Sequence, residues 1–197
     1  MSEVLAELFS SRVRAAVLAH LLPRPHLGFS LTDLSRRLEL PISSLQHECY
    51  KLTRLGVLRD RREGASRLYQ PDQAWPLLPS LTSFVGGALE PQTILSAVVD
   101  GVPGLAEAMI AGQVTGTPAA GRGYLILVGD LSIEDVDAIF GRVVTLLASR
   151  VDPARLELAF FRPDDWQTRM ANPTDFWVDV LTERVARVAP AAADADG

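Results

Sequence analysis

The chain has 197 residues, a net charge of −5 and 48% hydrophobic residues, enough apolar material for one large core or two small ones and too much for a disordered chain. Its apolar runs are shorter than the roughly 18 residues of a membrane span, and residues 1–4 lack the basic start of a signal peptide. The single cysteine, Cys49, excludes an internal disulfide framework. We therefore expect a cytoplasmic protein without a membrane partner.

The charge is divided unevenly along the chain. Residues 1–75 carry 11 basic and 8 acidic side chains, whereas the remaining residues carry 8 basic and 16 acidic ones. A basic first part is typical of a half that faces nucleic acid, and an acidic second part indicates a different task for the other half.

The first 42 residues predict two helices separated by an extended link. Apolar residues recur at intervals of three and four over residues 4–22, which predicts an amphipathic helix that ends at Pro23. Leucines at the same intervals mark a shorter helix over residues 31–38. Residues 29–30 form the extended link, and residues 39–42 predict a tight turn after the second helix.

A third helix follows the turn, with Ser43 as its expected N-cap and Gly56 as its stop. Leu45, Cys49 and Leu52 are spaced to form one buried stripe. The opposite, polar face of this helix is therefore expected to face solvent or a ligand.

A basic hairpin comes next, with short strands at residues 57–59 and 67–70 around a polar tip at residues 60–66. Three helices followed by such a hairpin are the order of a winged helix-turn-helix, whose second paired helix enters the major groove of DNA. Separately, these features are also typical of a solvated helix face and a soluble turn. The residues predicted to contact double-stranded DNA are Ser43, Ser44, Gln46, His47, Tyr50, Lys51 and Arg54 from the third helix, and Arg61, Arg62 and Arg67 from the hairpin.

Residues 8–72 resemble an ArsR-type winged helix-turn-helix. The resemblance is carried by SRVRAAVL at 11–18, FSLTDLSRRL at 29–38, SLQHE at 44–48 and LTRLGVL at 52–58. Regulators of this type often sense metals through paired cysteines near the recognition helix, but Cys49 has no second cysteine and is expected to face the core. The three histidines, His20, His26 and His47, lack the spacing of metal ligands. We therefore expect no metal site and no cofactor.

The second half alternates helices with strands, which indicates a small α/β layer domain. The predicted elements are helices at 80–89, 92–99, 132–149, 163 onward and 173–188, and strands at 107–111, 124–128 and 155–161, with a glycine-rich loop at 112–123. The predicted fold class is α+β. The predicted domains are a winged helix-turn-helix at 1–75, a linker helix at 76–91, an α/β domain at 92–188 and a disordered tail at 189–197.

Residues 92–170 are similar to the minimal nucleotidyltransferase domain that follows a winged helix in some prokaryotic regulators. That family carries a Gly-Ser pair after its first strand and an Asp-X-Asp motif at the second. Here Gln113 replaces the serine, and Arg122 and Tyr124 stand where the two aspartates belong. Glu157, on a later predicted strand, offers one carboxylate, but its position is more typical of a surface charge. Since enzymes of that family hold Mg²⁺ with paired carboxylates, the resemblance implies a catalytically inactive domain.

The sequence therefore predicts a homodimeric transcriptional regulator that is not an enzyme. Its second domain would sense a ligand, bind a partner or support dimerisation, and its effector would be a small molecule or a protein. The N-terminal helix and the helix at 80–89 are the expected dimer contacts. Two alternatives stay open: an active nucleotidyltransferase with an atypical site, and a protein-interaction module whose winged helix contacts protein.

Overall fold

A computed structural model describes residues 3–114 and 121–189. The chain divides into two compact units, residues 1–89 and 90–197, which we call the N-terminal and C-terminal units. Each unit combines helices with one sheet, so the predicted α+β class is confirmed. Residues 190–197 of the predicted disordered tail and residues 115–120 of the glycine-rich loop lie outside the described residues.

The first predicted helix is two helices, α1 (Glu3–Leu8) and α2 (Arg12–Leu21). Ser10 adopts a left-handed conformation with φ of 50°, which ends the first helical path. The Ser11 side chain then accepts a hydrogen bond from the backbone N of Arg14 at 3.1 Å and caps the second helix. The prediction of one continuous helix over residues 4–22 is therefore wrong, because two serines favour a cap over a helix interior.

The helix-turn-helix pair follows strand β1 (Phe29–Ser30) and consists of α3 (Leu31–Leu38) and α4 (Ile42–Arg54). Ser30 and Asp33 cap α3 reciprocally, each side chain bonding the backbone N of the other. The predicted tight turn is present, with Glu39 in the left-handed region at φ of 55°.

The N-cap of α4 is Pro41, and no side chain caps this helix end. Ser43 lies inside the first turn, so its prediction as the cap is wrong. The reason is that Pro41 already holds the extended conformation that an N-cap requires, so the helix begins two residues earlier than a cap at Ser43 would place it.

The hairpin, here called the wing, consists of β2 (Leu58–Glu63) and β3 (Ser66–Pro71), and β1 extends it to a sheet with the order β1-β3-β2. Its strands are antiparallel and pair up to Glu63 opposite Ser66. The predicted polar tip at residues 60–66 is therefore too long, because cross-strand pairing carries the ladder through most of it. Helix α5 (Leu78–Gly87) completes the N-terminal unit.

The C-terminal unit is built on a four-stranded mixed sheet with the order β6-β5-β4-β7. Only the β5–β6 pair is parallel among its three pairings. The elements are α6 (Pro91–Val98), β4 (Leu105–Gly112), β5 (Gly123–Gly129), α7 (Ile133–Leu147), a short 3-10 turn (Pro153–Arg155), β6 (Leu156–Phe161), α8 (Pro163–Ala171), α9 (Asp175–Thr182) and β7 (Arg184–Val188).

The last predicted helix, at residues 173–188, is only half helical. Helix α9 ends at Thr182, and β7 pairs antiparallel with β4. The prediction is wrong there because the segment satisfies its backbone groups in the sheet. The Gln92 amide completes the pairing, since it donates to the carbonyl oxygen of Arg187 and accepts from its backbone N, both at 2.9 Å.

Helices α8 and α9 contribute two tryptophans to an aromatic core of the C-terminal unit. The rings of Trp166 and Trp177 meet edge to face with centroids 5.7 Å apart. They pack in one cluster with Met109 and Ile126 from the central strands. Burial of this cluster holds both helices against the sheet.

Candidate nucleic-acid interface

Helix α4 is anchored from behind by an apolar stripe. Leu45, Cys49 and Leu52 are all buried, as their helical spacing predicts. Burying three such side chains fixes which face of the helix turns outward, because a rotation would expose them to water.

A charged residue that the sequence reasoning missed lies within this stripe. The side chain of Glu48 is only 9% exposed, and its carboxylate accepts a hydrogen bond from Nε of Arg14 on α2 at 3.0 Å. Its other oxygen lies 3.5 Å from Nζ of Lys51. The signal was its spacing, since Glu48 falls three residues after Leu45. The predicted DNA contact Lys51 therefore already has a protein partner.

The outward face of α4 carries most of the predicted DNA-contacting side chains. Ser43, Gln46, His47, Tyr50 and Arg54 are exposed. Ser44 and Lys51 are partly buried at the edges of this face. The sequence pattern therefore located the polar face, and the structure leaves it open.

The wing arginines lie on different faces of the hairpin. Arg62 pairs across the ladder with Arg67, whereas Arg61 pairs with Leu68, and successive strand residues point to opposite faces. Arg61 lies 3.5 Å from the Glu63 carboxylate, whereas no carboxylate in the described ranges pairs with Arg62. The two neighbouring arginines that the sequence grouped together are therefore not equivalent.

A shallow groove between α4 and β3 gathers one part of the predicted set. We call it the α4–wing groove. It consists of two adjoining depressions, one lined by Ser43, Gln46, His47, Tyr50, Arg67 and Tyr69, the other by Tyr50, Thr53, Arg54, Asp60, Arg67 and Tyr69. Arg61, Arg62, Ser44 and Lys51 do not line it. Sequence reasoning missed Thr53, Asp60 and Tyr69. Thr53 lies on α4 itself, whereas the cross-strand register brings Asp60 and Tyr69 to this surface.

The groove contains both charges. Oδ2 of Asp60 lies 3.2 Å from Nε of Arg67. Arg54 adds a second cation, and no carboxylate within residues 3–114 and 121–189 pairs with it. The groove can thus offer donors to an electron-rich ligand edge, together with one carboxylate acceptor.

Cys49 is unsuited to metal or redox chemistry in this fold. Burial, assisted by the neighbouring Glu48 charge, raises the pKa of its thiol to about 12. A buried neutral thiol is a poor ligand and a poor nucleophile. Within the described ranges, no group of three or more His, Cys, Asp or Glu side chains could hold a metal ion.

Among the described residues, no helix is long and apolar enough to cross a lipid bilayer.

In the C-terminal unit, Arg122, which stands at one of the two expected aspartate positions, forms an ion pair with Glu157. Tyr124 on β5 stands in register with Glu157 on β6. Nη1 of Arg122, just before β5, lies 2.6 Å from the Glu157 carboxylate. Gly112 holds φ of 80°, and a side chain there would collide with the Arg122 carbonyl oxygen. This donor set does not fit Mg²⁺, because a guanidinium occupies the one carboxylate.

Comparisons with known proteins show little similarity. No family model matches the chain. No curated protein matches it at a significant level. Among solved structures the chain is similar to reduced HlyU from Vibrio cholerae N16961, at 26% sequence identity and a TM-score of 0.32, over 42% of this chain and 78% of the HlyU chain. A similarity of this size assigns no family, so the function must be inferred from the residues.

Proposed function

We propose that this protein is a DNA-binding transcriptional regulator that places α4 in the major groove. The observation that carries the proposal is the outward face of α4, which exposes Gln46, His47, Tyr50 and Arg54 beside the wing while a buried stripe fixes its orientation. Amide, imidazole and guanidinium groups are donors or acceptors that base edges can pair with. The alternative, that the polar face of α4 is merely solvated, does not account for the cationic hairpin beside it or for the groove between them.

The wing would contact the DNA backbone mainly through Arg62. By strand register Arg62 lies on the same hairpin face as Arg67, whereas Arg61 lies on the opposite face beside Glu63. Guanidinium groups form charge-assisted bonds with phosphate oxygens. Arg62 is therefore the stronger candidate for a phosphate contact.

The proposed regulator acts as a homodimer through α1 and α5 of the N-terminal unit. Both helices leave large apolar side chains exposed, among them Val4, Leu8 and Phe84. Phe9, which directly follows α1, meets Phe84 of α5 edge to face with ring centroids 6.0 Å apart, so the two helices lie near each other at this point. A second copy of the chain is a suitable cover, because a two-fold dimer would place two recognition helices about one helical turn of DNA apart.

Mutation of this surface tests the dimer. Leu8, with 60% exposure, becomes glutamate in one variant, and Ile133 of the C-terminal unit, with 77% exposure, becomes glutamate in the control. Light scattering should find a monomer for Leu8→Glu and a dimer for the control. A dimer in both variants would place the interface elsewhere.

The C-terminal unit is proposed to be a catalytically inactive, nucleotidyltransferase-like domain that senses a small-molecule or protein effector, or supports dimerisation. Its support is the Arg122–Glu157 ion pair at the position where the related enzymes need carboxylates for Mg²⁺.

Salt-dependent DNA binding tests the main proposal. Fluorescence anisotropy with a random duplex should show an affinity that falls as salt rises, with a slope of about 0.9 per phosphate contact. Arg62→Ala should lower that slope by about 0.9, and the adjacent control Arg61→Ala should lower it less. The absence of salt-dependent binding to any duplex at low salt would contradict the proposal, and equal effects of the two variants would contradict the assignment of the wing face.

A further inference from the structure

Arg67 occupies the centre of the α4–wing groove. It lines both depressions of the groove, together with Tyr50 of α4 and Tyr69 of β3. A wing arginine is expected at the backbone or in the minor groove. The structure instead places this guanidinium beside the polar face of α4, on the surface that would meet the major groove.

The Asp60 carboxylate engages Arg67 from one side only. It approaches Nε at 3.2 Å, and in the described part of the chain no protein group pairs with the two terminal Nη atoms. A guanidinium is planar and rigid, so a partner at Nε fixes the direction of the remaining donors. Arg67 thereby presents two parallel N–H donors with a defined orientation.

The pair suits a base edge better than a phosphate. A phosphate bound by Arg67 would come close to the Asp60 carboxylate, and two like charges repel. Guanine offers two neutral acceptors, O6 and N7, in the major groove, and its paired cytosine offers an amino donor beside them. The two terminal donors of Arg67 match the two acceptors of guanine, whereas adenine replaces one of these acceptors with its own amino group.

We infer that Arg67 reads a guanine in the major groove and that Asp60 is the positioning residue that orients it. This inference rests on the proposed DNA-binding function and adds a specificity-determining pair to it. It also separates the wing arginines by role, because Arg62 contributes affinity for any duplex and Arg67 contributes sequence preference.

Selection from a random duplex library, using the full chain, tests the inference. The variants are Arg67→Lys, which keeps the charge but loses the two-pronged donor, and Asp60→Asn, which removes the carboxylate charge. The matched control is Glu63→Gln, which neutralises the other carboxylate of the wing that pairs with an arginine and does not line the groove. Thermal unfolding by circular dichroism verifies that each variant is folded.

Wild-type protein should enrich a guanine at one position of each half-site. Arg67→Lys and Asp60→Asn should each reduce the preference at that position by roughly fivefold or more, the lower range for a bidentate base contact. Asp60→Asn should at the same time bind random duplex more tightly, because it removes a negative charge, and Glu63→Gln should do so with its guanine preference intact.

Four results would overturn the inference. If Arg67→Lys keeps the guanine preference, Arg67 contacts only phosphate. If Asp60→Asn keeps it while Arg67→Lys loses it, Asp60 does not orient the arginine. If wild-type protein binds duplexes without any sequence preference, the proposed DNA binding is supported but the inferred recognition of guanine by Arg67 is wrong. A failure to bind any duplex would overturn the proposed function together with this inference.

Discussion

Replacing Arg14 with alanine should destabilise the N-terminal unit more than any exposed charge substitution. Arg14 bonds Glu48 at 3.0 Å and also donates through Nη1 to the carbonyl oxygen of Phe9 at 3.3 Å. Loss of a hydrogen bond to a charged group costs about 1.5–3 kcal/mol, and loss of the second bond adds about 0.5–1.5 kcal/mol. We expect a total near 3 kcal/mol, of the order of 100-fold in the unfolding equilibrium.

Replacing the partner residue, Glu48, with alanine should cost less than replacing Arg14. The side chain of Arg14 is 33% exposed, whereas that of Glu48 is 9% exposed. After Glu48→Ala, water can solvate the guanidinium, so the cost should be about 1–2 kcal/mol. After Arg14→Ala, the carboxylate stays buried with Lys51 as its remaining partner. The double variant should cost less than the sum of the two single variants, because the second substitution removes the stranded charge.

Cys49 supplies a readout confined to this unit. It is the only cysteine, it is fully buried, and it lies on α4 next to Glu48. Alkylation under native conditions therefore reports how often the unit opens. Arg14→Ala should accelerate alkylation by roughly 100-fold and Glu48→Ala by roughly tenfold. The control Arg36→Ala breaks a pair in which the arginine side chain is 76% exposed and should change the rate by about twofold or less.

Two results would refute this reasoning. Glu48→Ala could prove as costly as Arg14→Ala, which would mean that burial of the carboxylate does not set the penalty. The two single costs could also add fully in the double variant, which would mean that the residues are not coupled.

Three further predictions concern other positions. Burial raises the pKa of Cys49 above its ordinary value of 9.0, so the thiol ionises first in the unfolded chain. Relative to Cys49→Ala, the free energy of unfolding should therefore fall by about 1.4 kcal/mol per pH unit above pH 9, measured by urea titration at pH 8, 9 and 10. Equal dependence on pH in both proteins would contradict this. Gly56→Ala should cost about 1–2 kcal/mol in the same titration, because Gly56 has φ of 80°, whereas Gly141→Ala in open space on α7 should be neutral or stabilising; a neutral Gly56→Ala would show that the turn relaxes. Calorimetry should detect no Mg²⁺-dependent nucleotide binding, because Arg122 occupies the Glu157 carboxylate; a binding heat that requires Mg²⁺ would restore the enzyme hypothesis.

Local patterns in the sequence account for much of the N-terminal unit and for one helix start in the C-terminal unit. The spacing of Leu45, Cys49 and Leu52 determines the buried face of α4, because side chains at those intervals lie on one side of a helix whatever packs against it. Ser132 and Asp135 likewise locate the start of α7, since a cap depends only on neighbours along the chain. The polar face proposed to bind DNA follows from the same periodicity.

Contacts between distant segments decided the rest. Glu48 looks like any helical glutamate until α2 brings Arg14, 34 positions away, against it. In the sequence, Arg67 does not differ from the other basic residues of the wing. In the fold, strand pairing places Asp60 beside it, and residues of α4 line the same groove. Residues 184–188 favour a strand over a helix only because β4 offers an edge with unpaired backbone groups. Periodicity and capping are encoded within a few residues, whereas ion pairs and strand pairing depend on partners that only the folded chain brings together.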